Sequence, residues 1–224
     1  MTTKEKLLAL LEDSKGTFFS GEEIARTLQV SRAAVWKAVS ALREDGYTID
    51  AATNKGYRLS PDSDILSPQG IRRFLKPEYR DLDLTVLPTA PSTNALVREK
   101  ANQGCPEGCI IIACEQTAGR GRYGRQFFSP VDSGVYLSLL LRPTAYSPQQ
   151  ATCLTAAAAA AMCQAIEEVT GQQPGIKWVN DIFLHGKKVC GILTEAAVGL
   201  ETGTLNYMVL GAGVNLYPPA EGFP

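Results

Sequence analysis

Apolar residues in the first sixty positions recur at helical spacing three times and then begin to alternate. Leu7, Leu8, Leu10 and Leu11 make one apolar face, which Gly16 ends. In "SGEEIARTLQVSRAAVWKAVSALREDGY", Ser20 with Glu23 three residues later reads as a capping box, and Ile24 and Leu28 form the inner face of a short helix. Val30 then turns the chain into a longer helix from Ser31. There Val35, Val39 and Leu42 face a core while Arg32, Lys37 and Arg43 point elsewhere. "YTIDAATNKGYRLS" alternates on both sides of Thr53-Asn54-Lys55-Gly56, which predicts a hairpin with a basic tip.

A short helix, a tight turn, a longer basic helix and a basic hairpin together resemble a winged helix-turn-helix domain. Arg32, Ala33, Ala34, Trp36 and Lys37 are then candidates for the DNA groove, and Lys55 and Arg58 for phosphate contacts. A helical protein-interaction module with a wet basic face is the alternative.

Pro61-Asp62-Ser63-Asp64 reads as a linker, so the expected domains are 1–62 and 63–224. Beyond it apolar strands (Leu82 to Leu87, Cys109 to Cys114, Val135 to Leu141, Met208 to Leu210) alternate with helices, giving a mixed α/β domain. In "SPQQATCLTAAAAAAMCQAIEEVTG", Ser147 is the expected cap, Pro148 the first turn, Gln150 the completed box and Gly171 the stop. The alanines between let that helix lie close on a sheet.

Composition excludes more than it selects. With 22 Lys and Arg against 23 Asp and Glu, any DNA contact comes from a local patch. The N-terminus carries acids within its apolar stretch, unlike a secretory signal, and no apolar run approaches the roughly 20 residues that span a bilayer. A cytoplasmic location follows as an expectation. Six cysteines accompany a single histidine, His185, with no CxxC pair to nucleate zinc, so no structural metal is expected. Cys153, Cys163 and Cys190 sit among alanines and aliphatics, as buried free thiols do.

"GRGRYGRQFFSP", residues 119–130, places Arg120, Arg122 and Arg125 among three glycines. Glycines let backbone approach a ligand, and guanidinium groups offer forked donors for phosphate or carboxylate. The segment lacks both the GK[ST] ending of a P-loop and the strand-GxGxxG-helix setting of a dinucleotide site. A small-anion site, a nucleic-acid contact and a solvated turn remain open on spacing alone.

Four segments in order, "PSTNA" at 91–95, "EQTAGRGRYGRQFFSP" at 115–130, "KWVNDIFLHGKKVCGILTE" at 177–195 and "GAGVNL" at 211–216, resemble the successive motifs of biotin protein ligases. With the N-terminal winged helix, the chain resembles the bifunctional bacterial form that is also the biotin operon repressor. The resemblance implies a class II synthetase-like mixed α/β catalytic domain. It implies ATP, Mg2+ and biotin as ligands, biotinyl-5′-AMP as intermediate and corepressor, and a lysine of a biotin carboxyl carrier protein as acceptor. It also implies operator DNA as a partner, homodimerisation on ligand binding, and no membrane attachment.

Residue by residue, the resemblance implies that Lys188 bridges the biotin carboxylate and the phosphate, and that Arg120, Arg122 and Arg125 wrap biotin and the adenylate phosphate, with Gly119 and Gly121 letting the loop order around them. Arg122 and Lys188 are the implied catalytic pair. Ser92, Thr93, Asn94 and Gln116 match the polar biotin pocket, although Ser-Thr-Asn is also an ordinary helix N-cap. Asn180 and Asp181 match positions near the nucleotide and magnesium, and Asn215 one beside the adenylate. Gly191, Gly211 and Gly213 would let backbone approach the ligand. Lys187 reads as a solvated turn residue and Trp178 as core. Tyr123, Phe127 and Val179 depart from residues common in the family. Related readings are a biotinyl-adenylate sensor without transfer and a lipoate-type acyl ligase. "NLYPPAEGFP" cannot form a closing helix, and the C-terminal SH3-like barrel of the bifunctional form is expected to be absent.

Overall fold

The computed structural model describes residues 1–143, 147, 150–199, 204–219 and 222. It has two compact units, Met1–Asp81 and Leu82–Pro224.

In the first unit, helices α1 (Thr3–Asp13), α2 (Gly21–Leu28) and α3 (Arg32–Glu44) precede a hairpin of β1 (Ile49–Ala52) and β2 (Gly56–Leu59), followed by α4 (Pro68–Arg72). Leu7, Leu11, Ile24, Val35, Val39, Leu42, Ile49 and Leu59 form its buried core, so the helical and alternating patterns meet in one cluster. The hairpin is antiparallel, with Ile49 opposite Leu59 and Ala52 opposite Gly56. Gly56 is required there: its φ is +94°, and a Cβ would lie 2.1 Å from the Phe19 carbonyl oxygen.

Two local expectations change. Ser20 accepts from the Glu23 N–H without the reciprocal bond, whereas the full capping box is Thr2 with Glu5 at the first helix. Residues 63–81, placed with the second domain by the linker at 61–64, pack instead with the first unit. Ile65 adds to its core, and Arg73 donates to the Glu12 carbonyl oxygen and lies 3.8 Å from its carboxylate.

The second unit is a seven-stranded sheet with α5 (Thr93–Asn102) and α6 (Ala151–Thr170). Its strands are β3 (Leu84–Ala90), β4 (Ile110–Gln116), β5 (Gly134–Leu141), β6 (Gly175–Lys177), β7 (Asp181–Leu184), β8 (Lys187–Val198) and β9 (Leu205–Asn215). Their spatial order is β3-β4-β5-β9-β8-β7-β6, with only β3 and β4 parallel. Val97 and Ala101 of α5 pack with Ile111, Leu140 and Val209. Ala159 of α6 packs with Ile182, Cys190, Ile192 and Ala212. Because side chains alternate along a strand, Val209 and Ala212 belong to opposite faces, and the two helices cover opposite sides of the sheet.

The α6 boundary also shifts. Ser147 donates its N–H to Gln150 Oε1 at 2.9 Å, but the helix begins at Ala151 and Gln150 holds the cap position; Pro148 lies outside the described residues. Gly171 ends it at φ +67° as expected. Cys153 is exposed, on the side of α6 away from the sheet, while Cys190 is buried. Trp178, expected in the core, is 78% exposed, because it follows the edge strand β6, whose three residues are all exposed.

Candidate active site

The candidate pocket lies on the α5 face of the sheet, and its depth comes from glycines. A Cβ at Gly211 would fall 2.0 Å from Asn94 Oδ1, and one at Gly213 would fall 2.4 Å from the Phe127 ring. A Cβ at Gly191 would meet the same ring at 2.9 Å. These three glycines therefore admit the Asn94 amide and the Phe127 ring to the sheet, and all three also line the pocket. Phe127, marked in the sequence only as a departure, is a wall of the pocket.

One side of the pocket is a closed polar network. Ser92, Thr93 and Asn94 are all buried. Ser92 occupies the cap position of α5 without capping it by its hydroxyl; Gln116 Oε1 accepts from Thr93 N–H at 2.8 Å instead. Gln116 Nε2 donates to Ser129 at 3.1 Å, so the amide is held at both ends. Ser138 Oγ donates to Asn94 Oδ1 at 2.6 Å and lies 2.7 Å from Thr93 Oγ1, and Asn94 Nδ2 donates to Glu195 at 2.7 Å. Glu195 in turn pairs with Arg98 at 3.2 Å. Ser138 belongs to none of the four sequence motifs, and Glu195, the last residue of the segment 177–195, carries no role there; both are placed only once the sheet brings them beside Asn94.

The facing side is cationic. Lys188 Nζ pairs with Asp181 Oδ1 at 2.8 Å. Asn180 Nδ2 donates to the same carboxylate oxygen at 2.7 Å, and Arg122 donates to Asn180 Oδ1 at 2.6 Å. Arg120, Arg122, Asn180, Asp181 and Lys188 thus converge on one cavity with Ser92, Thr93, Asn94 and Gln116, about 460 Å3 with its open mouth included. Gly121 lines it as well.

Three assigned residues stand elsewhere. Arg125 lines a neighbouring recess with Tyr123 and Glu195, because the chain turns at Tyr123 (φ 58°) and Gly124 (φ +73°). Gly119 lies behind the wall, where a Cβ would come within 2.4 Å of the Phe127 carbonyl oxygen. Asn215, at the end of β9, has a buried Oδ1 without a hydrogen-bond partner. Lys187 is exposed, though at the start of β8 rather than in a turn. Burial pushes the Cys190 thiol, beneath Lys188 on the α6 face, up to about 12.

In the first unit, Arg32, Ala33, Trp36 and Lys37 are exposed along α3, and Ala34 is half-buried. The wing differs from expectation. Arg58 pairs with Asp50 across the hairpin at 2.8 Å and stacks on Phe18 at 4.7 Å, so its guanidinium is engaged within the wing. Lys55 at the tip is exposed.

The biotin/lipoate A/B protein ligase family matches residues 86–215, and a helix-turn-helix domain matches residues 3–58. The bifunctional ligase/repressor BirA of Bacillus subtilis is 41% identical over 223 residues, covering 100% of this chain and 68% of that relative. The protein of the same name from Escherichia coli is 34% identical over 215 residues, covering 96% of this chain and 64% of that relative. The biotin protein ligase from Aquifex aeolicus in complex with biotin and ATP superposes with a TM-score of 0.51 at 28% identity, over 63% of this chain and 55% of that one. The chain spans about two thirds of the length of the curated relatives it matches.

Proposed function

The chain belongs to the biotin/lipoate A/B protein ligase family and carries a helix-turn-helix domain, and from that premise we propose that it is a biotin protein ligase that also represses transcription in response to biotin. The reaction joins two anions. A biotin carboxylate oxygen attacks the α-phosphorus of ATP and pyrophosphate leaves; the amine of a carrier-protein lysine then attacks the acyl carbon, and AMP leaves.

The observation that carries this reading is the division of the pocket into a buried amide and hydroxyl side and a cationic side. Ser92, Thr93, Asn94 and Gln116 supply the fixed hydrogen bonds that orient a neutral polar ring. Lys188, Arg120 and Arg122 offset the charge that accumulates between carboxylate and phosphate, and Lys188 and Arg122, held by Asp181 and Asn180, cost little reorganisation as it forms. Arg125, outside the central pocket, joins them by loop movement. Asp181 supplies a carboxylate, a hard donor that suits Mg2+ arriving on the ATP phosphates. That ion would offset charge on the departing pyrophosphate.

In the first unit, the exposed residues of α3 enter the major groove of operator DNA and Lys55 contacts phosphate. The DNA-binding form is a homodimer assembled when biotinyl-5′-AMP orders the arginine loop. Incubation with ATP and biotin, lipoate or octanoate, reading pyrophosphate release, tests the activity: release with biotin alone is expected, and equal release with lipoate would move the chain to the other branch of the family. Sedimentation tests the assembly, which requires a larger mass with biotin and ATP than without.

A further inference from the structure

We propose that Asp83, Cys105 and Cys109 form a binding site for a thiophilic divalent cation of the Zn2+ class, remote from the ligase chemistry. The three donor atoms lie within 4.8 Å of one another, with Cys105 Sγ 4.0 Å from Asp83 Oδ2. Around a tetrahedral ion of ordinary bond lengths, sulfur and oxygen donors stand about 3.5 Å apart and two sulfurs about 3.8 Å, so closure asks each side chain for well under 1 Å. Two thiols and one carboxylate suit a borderline-soft cation better than Mg2+ or Ca2+, and leave a fourth position on the solvent side for water.

The backbone under all three donors is fixed. Cys105 N–H donates to Lys100 O at 3.0 Å, and its carbonyl accepts from Arg142 Nη2 at 2.7 Å. Arg142 N–H is held by Glu107 at 2.6 Å, which pins the intervening loop. Cys109 O accepts from Leu140 N–H at 2.9 Å, and Asp83 O from Ile110 N–H at 2.7 Å. Gly108, at φ +90°, packs against Leu82 just before Cys109, and a Cβ there would lie 2.5 Å from a Leu82 methyl. Donors on fixed backbone lose little freedom when an ion joins them. The spacing Cys-x-x-x-Cys and the want of a nearby histidine hide this cluster in the sequence, because its third donor comes from the residue just before β3. A bound ion would clasp that point to the start of β4. Lys100, 2.9 Å from Asp83, is the cation it must compete with.

The test is a titration of the full chain with Co2+, read by the sulfur-to-cobalt charge-transfer band, with Zn2+ as competitor and circular dichroism to confirm folding. One equivalent should saturate the band. Cys105→Ser and Asp83→Asn, both at accessible positions, should each weaken binding by about tenfold or more. Lys100→Met should tighten it, and Cys153→Ser, which removes the exposed thiol of α6, should leave it unchanged. Absence of the band in the folded chain, its persistence at full affinity in Cys105→Ser, or its loss in Cys153→Ser would each overturn the site.

Discussion

Lys188 is held by a carboxylate that is itself held by an amide, and that amide by an arginine of the loop. Replacing Lys188 by alanine is therefore expected to slow pyrophosphate release on the order of 10²-fold or more, with folding intact. Asn180→Ala removes only the link between loop and carboxylate, so a smaller loss, about tenfold, is expected in the same assay. A second single-residue effect concerns Glu12, whose buried carboxyl is raised above the usual range by desolvation, against the opposing pull of Lys15 and Arg73. A raised folded value means that the protonated form suits the fold, so its contribution is complete in acid and is lost as pH rises through that value. Glu12→Gln should then raise the melting temperature of the first unit at pH 7, with the gain vanishing below the ordinary carboxylate range; thermal unfolding at both pH values checks this.

At the scale of elements, the strand glycines and the Phe127 ring are one packing solution. Gly213→Ala, whose Cβ would overlap that ring, should destabilise the second unit by about 1–3 kcal/mol, and by less in a Phe127→Ala background. A cost independent of Phe127 in chemical unfolding would refute the coupling. In the first unit, Lys55→Ala should lower the salt slope of operator binding by about one unit, while Arg58→Ala, already paired within the hairpin, should change it less. The helices α1 to α3 and the hairpin of that unit were legible because each carries its own periodicity, whereas α4 and the Thr2–Glu5 capping box were not. β9 was read as Met208 to Leu210 and extends to Asn215, because Gly211 and Gly213 break an apolar run that pairing on both sides restores. The motif residues of the pocket were legible by type and order. The roles of Ser138 and Glu195 were not, since register across the sheet, not spacing along the chain, brings them to Asn94, and nor was that of Phe127, whose ring lies over Gly191 and Gly213.

For the whole molecule, the division at Asp81 and Leu82 predicts that a piece ending at 81 folds alone and melts higher than one ending at 62, which loses Ile65 and the α4 cover of Glu12. Equal melting temperatures would return the boundary to the linker. Biotin with ATP should raise the melting temperature of the full chain in proportion to the logarithm of ligand concentration above Kd. The chain has two tryptophans, Trp36 on α3 and Trp178 after the edge strand, one in each unit and 61% and 78% exposed. Indoles that already face water emit at long wavelength in the native state, so denaturation should shift their fluorescence little, and the usual optical readout of unfolding will be nearly silent here. The same signal should respond when something solid covers either ring. Each half of the molecule thus carries its own native fluorophore, and replacing one tryptophan by phenylalanine would leave a label-free reporter of what docks on the other.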